Sequence, residues 1–476
     1  MMLRISRSLL IVVVFAVAVT LALWSAPQGP QPAQAAVIPV CDPGGDFSVI
    51  QAAIDSGTTI AGDIIEICQG TYTEDTALTI TKGVTVRNTA GDDVTLVRPV
   101  GGATGNVVEI TVDDGSLVNG GSTFTVKNDG TGASEGVIEV AAAADDVTID
   151  GMTLRGASVD PASEFLVMLP GGADRMTFIN NEVFGPPGSD IDFGETLIFR
   201  RATTSAGTGF LIDNNTLHGA GMAYEGQGTM ADPSFITNNA ANSDGGARAA
   251  GQVIQVGQGG ATTSWVEVTG NTITGVAGNP SGTNISGILL GGQSNGAGTV
   301  DNVIIRTNTV DGVVCDAIEV NQFGDPAAQL TFSNITIEFN TLTDNGCSGI
   351  FVNSDLDGST GNDSIAATAF TVVECNDITG NNLGFEDGDN GTFIAQNNWW
   401  GNVGGPGVGG ANDNTSNVED DPFLTETFVT AAQCQTPATP PAGTILVCRP
   451  PFDFSEIQTA INGATAGNTI EICQGT

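Results

Sequence analysis

Residues 303–312 read VIIRTNTVDG, and residues 335–344 read ITIEFNTLTD. Both follow one plan: apolar, any, apolar, two residues, Asn, any, apolar, then a turn residue. The plan holds Asn308 and Asn340 here, and it returns in FINNEVFG around Asn181, LIDNNTLHG around Asn215 and VEVTGNTITG around Asn271. It returns again in VVECNDITG at Asn376 and FIAQNNWWG at Asn398. An earlier relative, VTIDGMTLRG, carries Met152 in place of the Asn. SFITNNAANS, in the long interval between Asn215 and Asn271, reads as a degraded copy around Asn239.

Inside each phrase the apolar residues alternate, which is the period of a strand with one buried face. So short a strand-and-turn unit cannot bury that face alone. It must stack on its neighbours, and the repeat therefore predicts a solenoid of parallel strands. Rungs ~4.8 Å apart place like residues above like. Asn suits the turn of such a stack because it tolerates a left-handed backbone and its amide can donate to one neighbour while accepting from another. The uneven intervals mean that loops of differing length leave the other turns.

Two further stretches accompany the repeat: the opening DFSVIQAAIDSG with GDIIEICQGTYTE, and the closing NNWWGNVGGPG with VEDDPFL. Together they resemble the right-handed parallel β-helix proteins of the pectin-lyase-like type, specifically the bacterial secreted repeat proteins. The resemblance implies an all-β, right-handed parallel β-helix domain over residues 36–430 with a short N-terminal capping helix. It leaves function open, because this fold hosts lyases, hydrolases, adhesins and proteins of no known activity.

The opening is written twice, from Cys41 as CDPGGDFSVIQAAIDSGTTIAGDIIEICQGT and from Cys448 as CRPPFDFSEIQTAINGATAGNTIEICQGT. Phe47, Ile50 and Ile54 fall on one helical face, with Ser48 placed to cap, so the first copy is expected to plug the open end of the stack. The second copy, residues 447–476, then reads as the start of another β-helix domain, cut short. Residues 431–446, rich in Pro, read as a linker.

Ahead of all this, Arg4 and Arg7 precede an apolar run from Leu9 to Trp24, followed by Ala33-Gln34-Ala35. That is the pattern of a secretory signal peptide over residues 1–35, giving a bacterial-type exported protein, secreted or at the cell surface, with no membrane insertion after cleavage. Eight cysteines fit an oxidising compartment. Cys41 and Cys68 flank the first plug as Cys448 and Cys473 flank the second, so each pair is expected to bond locally. Cys315 and Cys347 hold equivalent places after Asn308 and Asn340, which puts them in adjacent rungs within disulfide reach. Cys375 and Cys434 pair by elimination. The rival reading, a metal site, has no Cys-x-x-Cys and only His218 to draw on.

Asp and Glu number 53 against 13 Lys and Arg, a formal charge of -40. Nucleic acid and anionic membranes are excluded as partners by the lack of basic surface. An extracellular polysaccharide or cell-surface component remains, and two functions compete. One is a non-catalytic module for adhesion or glycan contact. The other is a calcium-dependent polysaccharide lyase or glycoside hydrolase, pectate-lyase-like.

A lyase needs a base and a cation beside a carboxylate. The set that offers both is Arg200 and Arg201 with Asp190, Asp192 and Glu195 upstream. An acidic loop beside outward arginines is the favoured account of them. In related polygalacturonases the site lies in Asn-Thr-Asp, Asp-Asp, His-Gly and Arg-Ile-Lys motifs. Here only His218-Gly219 and bare Asp-Asp pairs occur, so that set does not transfer, and His218 is expected to be an outward surface residue. Calcium would be taken by Asp355, Asp357 and Asp363 in NSDLDGSTGND, where Ser364 stands in place of the distal Glu, or by Glu386, Asp387 and Asp389 in FEDGDN. Trp399 and Trp400 are expected to cover the last rung as a C-terminal cap rather than to stack on sugar.

Overall fold

The computed structural model describes residues 35–41, 45–73, 76–98, 105–129, 136–156, 167–169, 173–185, 195–199, 207–242, 252–257, 262–275, 285–294, 297–324, 329–355, 365–388, 392–408, 413–415, 417–431, 434, 444–447 and 469–472. The signal-peptide segment, Arg200, Arg201, Asp190, Asp192, Asp357, Asp363, Asp389, Cys448 and Cys473 lie outside them.

Three parallel sheets of twelve, eleven and eleven strands run the length of the molecule. After the opening pair Val37–Val40 and Ile64–Ile67, each visits every third strand of the sequence in order, so the chain winds as a parallel β-solenoid. In the first sheet Ile305 lies beside Val268 and Ile337. The second sheet stacks Ile273, Val310 and Leu342 in one column, and the third stacks Ile288, Ile318 and Ile350. All nine are fully buried. Each such side chain contributes about 1.5–3 kcal/mol on burial, which only stacking delivers.

The turn from the first sheet to the second holds the repeat Asn, and it forms one unbroken ladder. Asn181 Nδ2 donates to Asn215 Oδ1 at 3.0 Å, and the same contact recurs from Asn215 to Asn239 and from Asn239 to Asn271, each at 2.9 Å. It continues through Asn308, Asn340 and Asn376 to Asn398. Asn239, the degraded copy, is a full member. Met152 takes part through its backbone N–H, which donates to Asn181 Oδ1.

The left-handed residue is not the ladder Asn but the one before it. Asn180, Asn214, Thr307, Phe339 and Cys375 all have φ between 53° and 58°. The kink turns the following Asn inward, where it is 0–2% exposed and its amide finds only protein partners. Asp114 and Asp146 likewise take the left-handed conformation in the turns made by the Asp-Asp pairs.

Helix is scarce. One six-residue helix, Ile50–Asp55, buries Ile50, Ala53 and Ile54. Its N-cap is Val49, with no side-chain cap, so Ser48 does not play the part expected of it. At the other end Trp400 is fully buried in the main core, while Trp399 packs on a small cluster of Cys375, Leu424, Ala431 and Cys434. Disulfides join Cys41 to Cys68 and Cys315 to Cys347, as their places in the repeats indicated, and Cys375 to Cys434, as elimination did. The strand Thr444–Val447 begins inside the segment expected to be linker and pairs in parallel with Thr469–Ile472. Val37–Val40 pairs with Ile64–Ile67 in the same manner.

Candidate functional site on the third sheet

Successive residues of a strand face opposite sides, so the buried columns imply outward ones. On the third sheet one outward column runs Gln255, Leu289, Glu319, Phe351, Glu386 through adjacent strands. Glu319 and Glu386 are two rungs apart, a strand separation of ~9.6 Å, with the Phe351 ring between them. Asn321 and Asn353 occupy the next outward column.

These strands overrun the solenoid. Ser286–Ser294, Ile318–Gly324 and Ser348–Asp355 pair to their ends, and so do Thr262–Thr269, Gly298–Arg306 and Leu330–Glu338 of the first sheet. The bend where each first-sheet strand enters its sheet is a stacked left-handed residue, at Trp265, Asn302 and Asn334. The overrunning halves form a ridge flanking the Glu319–Phe351–Glu386 column. Gln322 Oε1 fastens it by accepting from the Leu330 N–H at 2.8 Å.

Polar groups converge beside the column. Asn321 Nδ2 donates to Glu319 Oε1 at 2.6 Å, and Ser286 Oγ donates to Glu319 Oε2. Ser348 Oγ donates to Glu386 Oε2 at 2.6 Å. Asp316, 4% exposed, accepts from the Ser348 N–H at 2.9 Å and lies against the Cys315–Cys347 bond. Burial first, then the negative charge of Glu319, push its carboxyl up to about 7, against the Ser348 N–H that favours the ionised form. Asp316 is therefore a carboxyl that can give or take a proton near neutrality, set close to two others.

Of the residues chosen from sequence, Glu386 lies in this site, on strand Leu383–Asp387 rather than in an acidic loop. Its neighbour Asp387 is 7% exposed, faces the opposite side and accepts from Asn417 Nδ2. The two do not converge on one ion. Glu195 lies on a third-sheet strand, Glu195–Phe199, and Asp355 ends strand Ser348–Asp355. His218 faces outward on the second sheet, as expected. Its ring stacks on Phe184 at 4.5 Å, with Arg155 over the other ring at 3.8 Å, and its Nε2 is 3.3 Å from Glu182 Oε1. Trp400 is buried and offers no face to a sugar.

Sequence reading missed Asp316, Glu319 and Phe351. The signal available was the Cys-Asp of 315–316 beside a repeat cysteine, which marks a carboxyl held near a fixed turn. Also missed was a threonine column on the outside of the second sheet, from Thr71 through Thr95 and Thr125 to Thr153 and again from Thr272 through Thr309 to Thr341. The residue after each repeat Asn carries its later part.

No family model matches the chain, and no curated protein does. Among solved structures it is similar to the catalytic domain of a GH87 alpha-1,3-glucanase, at 13% identity over 84% of this chain and 69% of that one, TM-score 0.43. It is also similar to an alginate lyase from Paenibacillus sp. str. FPU-7, at 15% identity over 78% of this chain and 96% of that one, TM-score 0.35. A periplasmic alginate epimerase aligns at 12% identity over 76% of this chain and 82% of that one, TM-score 0.34.

Proposed function

We propose that the chain is an exported glycan-contacting module, a right-handed β-helix plugged at its first rung by the helix Ile50–Asp55. Its outer third-sheet face holds a polysaccharide against the ridge. The observation that carries this is the Glu319–Phe351–Glu386 column: a flat apolar ring between hydrogen-bonding carboxyls suits a pyranose, whose face is apolar and whose rim is hydroxyl. Three disulfides support export to an oxidising compartment. Retention on immobilised neutral and acidic polysaccharides should be lost in Phe351→Ala and kept in Thr309→Ala. Equal retention of the two variants would sink the reading.

A second reading, hydrolysis of the bound chain, is favoured by Asp316. A carboxyl poised near 7 beside Glu319 is the acid such a reaction needs. New reducing ends that vanish in Asp316→Asn, with binding intact, would support it. A calcium requirement would rest on Asp355, Asp357 and Asp363 and would show as stabilisation by calcium that Asp355→Asn abolishes.

A further inference from the structure

Three of the differences between the two copies of the opening unit bear on one edge. In the first copy the strand Val37–Val40 uses the carbonyls of Ala36 and Val40 to accept from Ile64 and Cys68. Pro39 faces the other way: its carbonyl accepts from the N–H groups of Asp46 and Phe47, and it has no N–H to offer. A proline on an edge strand prevents a further strand from pairing there. In the second copy, TILV at 444–447, that position is Leu446, which carries an N–H.

The loop covering the first edge depends on Gly45. A Cβ there would stand 2.5 Å from Cys41 N and 2.9 Å from the Pro39 carbonyl. The second copy has Phe452, a residue with a Cβ, at this place. The third difference is one of charge, Asp42 in the first copy and Arg449 in the second. The exchanges of Pro39 for Leu446 and of Asp42 for Arg449 each remove an obstacle to pairing that the first copy keeps.

A matching open edge exists. Beyond the last long strand of the first sheet, Phe393–Ile394 pairs in parallel with Val418–Glu419. The Asn417 and Glu419 carbonyls accept from Phe393 and Ala395, so those of Val418 and Asp420 face outward. Glu419 is exposed and Asp420 half-buried. The strands of this series begin at residues 393, 418, 444 and 469, so the step across the Pro-rich segment is one rung like those on either side. The acidic run Glu419–Asp421 also complements Arg449, where Asp42 would repel it.

We infer that the edges of Val418–Glu419 and Thr444–Val447 pair with each other, so the second unit stacks end to end on the first solenoid and is not merely tethered to it. The register follows from the first pair, where Ile64 lies opposite Val37 and donates to Ala36. By that offset Glu419 faces Thr444, and the Leu446 N–H meets the Asp420 carbonyl.

The test is amide hydrogen exchange on the full chain, wild type against Leu446→Pro. Pro39 already sits in the equivalent pair opposite Glu66, so proline at 446 is compatible with the contact to Thr469–Ile472. Exchange at 417–420 should quicken at least tenfold in the variant while 469–472 keeps its protection. An unchanged rate at 417–420 overturns the inference. Should the variant also loosen 469–472, the double variant Glu419→Cys/Thr444→Cys decides. Opposed residues of adjacent parallel strands lie ~5 Å apart, within disulfide range, so a cross-linked peptide supports stacking and its absence after oxidation refutes it.

Discussion

Asn308 sits mid-ladder and is 1% exposed. Its Nδ2 donates to the Val268 carbonyl at 2.8 Å and to Asn340 Oδ1 at 3.0 Å, and its Oδ1 accepts from the N–H and Nδ2 of Asn271 at 3.0 and 2.9 Å. Truncation to Ala does not strand all of these groups. Asn340 Oδ1 keeps the Asn308 backbone N–H at 2.9 Å, and Asn271 Nδ2 keeps the Ile236 carbonyl at 2.9 Å. The Asn271 N–H and the Val268 carbonyl lose what the side chain supplied. At ~1–3 kcal/mol for each buried group left unmatched, Asn308→Ala should cost about 2–6 kcal/mol. Thr309→Ala, one residue on and facing outward, should stay within ~0.5 kcal/mol of wild type. Urea unfolding followed by circular dichroism reads the difference. Amide exchange at Asn271 and Asn340 guards against loss of cooperativity, to which stacked repeats are prone. If Asn308→Ala is no less stable than Thr309→Ala, the ladder is not what fixes the turns. Asn308→Asp adds a sign. A buried carboxyl titrates higher in the fold than in the unfolded chain, so that variant's deficit should be smallest below about pH 4 and grow as the pH rises.

Asp316 should give wild-type stability a slope in pH. Its carboxyl is raised from 3.8 to about 7 in the fold, so its contribution is fully present below about pH 4, is lost between pH 4 and 7, and is flat above. The slope is at most ~1.4 kcal/mol per pH unit. Urea midpoints that fall in parallel for wild type and Asp316→Asn across that window would exclude it. Removing the Cys315–Cys347 bond with two alanines releases a 32-residue span and should cost about 3.5 kcal/mol in thermal or urea unfolding, whereas no loss would mean the rungs hold that turn unaided. Thr307 holds a left-handed backbone at φ 53°, which strains a β-branched residue, so Thr307→Gly should raise the urea midpoint by an equivalent of ~1 kcal/mol; a lower midpoint would show that the hydroxyl's bond to the Arg306 carbonyl outweighs the strain.

The ladder was legible because its members recur in one local phrase, so that even Asn239 could be picked out where the rest of the copy has decayed. The left-handed residue ahead of each Asn was not, since Thr307, Phe339 and Cys375 carry no common chemistry and take their conformation from the stack. A second, shorter ladder, Asn345 to Asn381 at 2.8 Å, escaped notice because two copies make no visible pattern. The third-sheet site was illegible for another reason. Asp316, Glu319, Phe351 and Glu386 come from three rungs joined through loops of unequal length, and nothing in the local sequence aligns them. The acidic residues that did stand out, in runs, were the ones most visible to the eye, and Glu386 and Asp387 turned out to face opposite ways because adjacent strand residues must.

The ladder contacts span 22 residues between Asn376 and Asn398 but 37 between Asn271 and Asn308. Alignment is thus decided at one turn per rung, and the length of chain spent elsewhere in the circuit does not enter it. A scaffold read out in this way separates its grammar from its content. Whole rungs can be copied or dropped and loops can lengthen on the face that meets the outside, while a single inserted residue between the left-handed position and its Asn would take that amide out of the ladder and break it there.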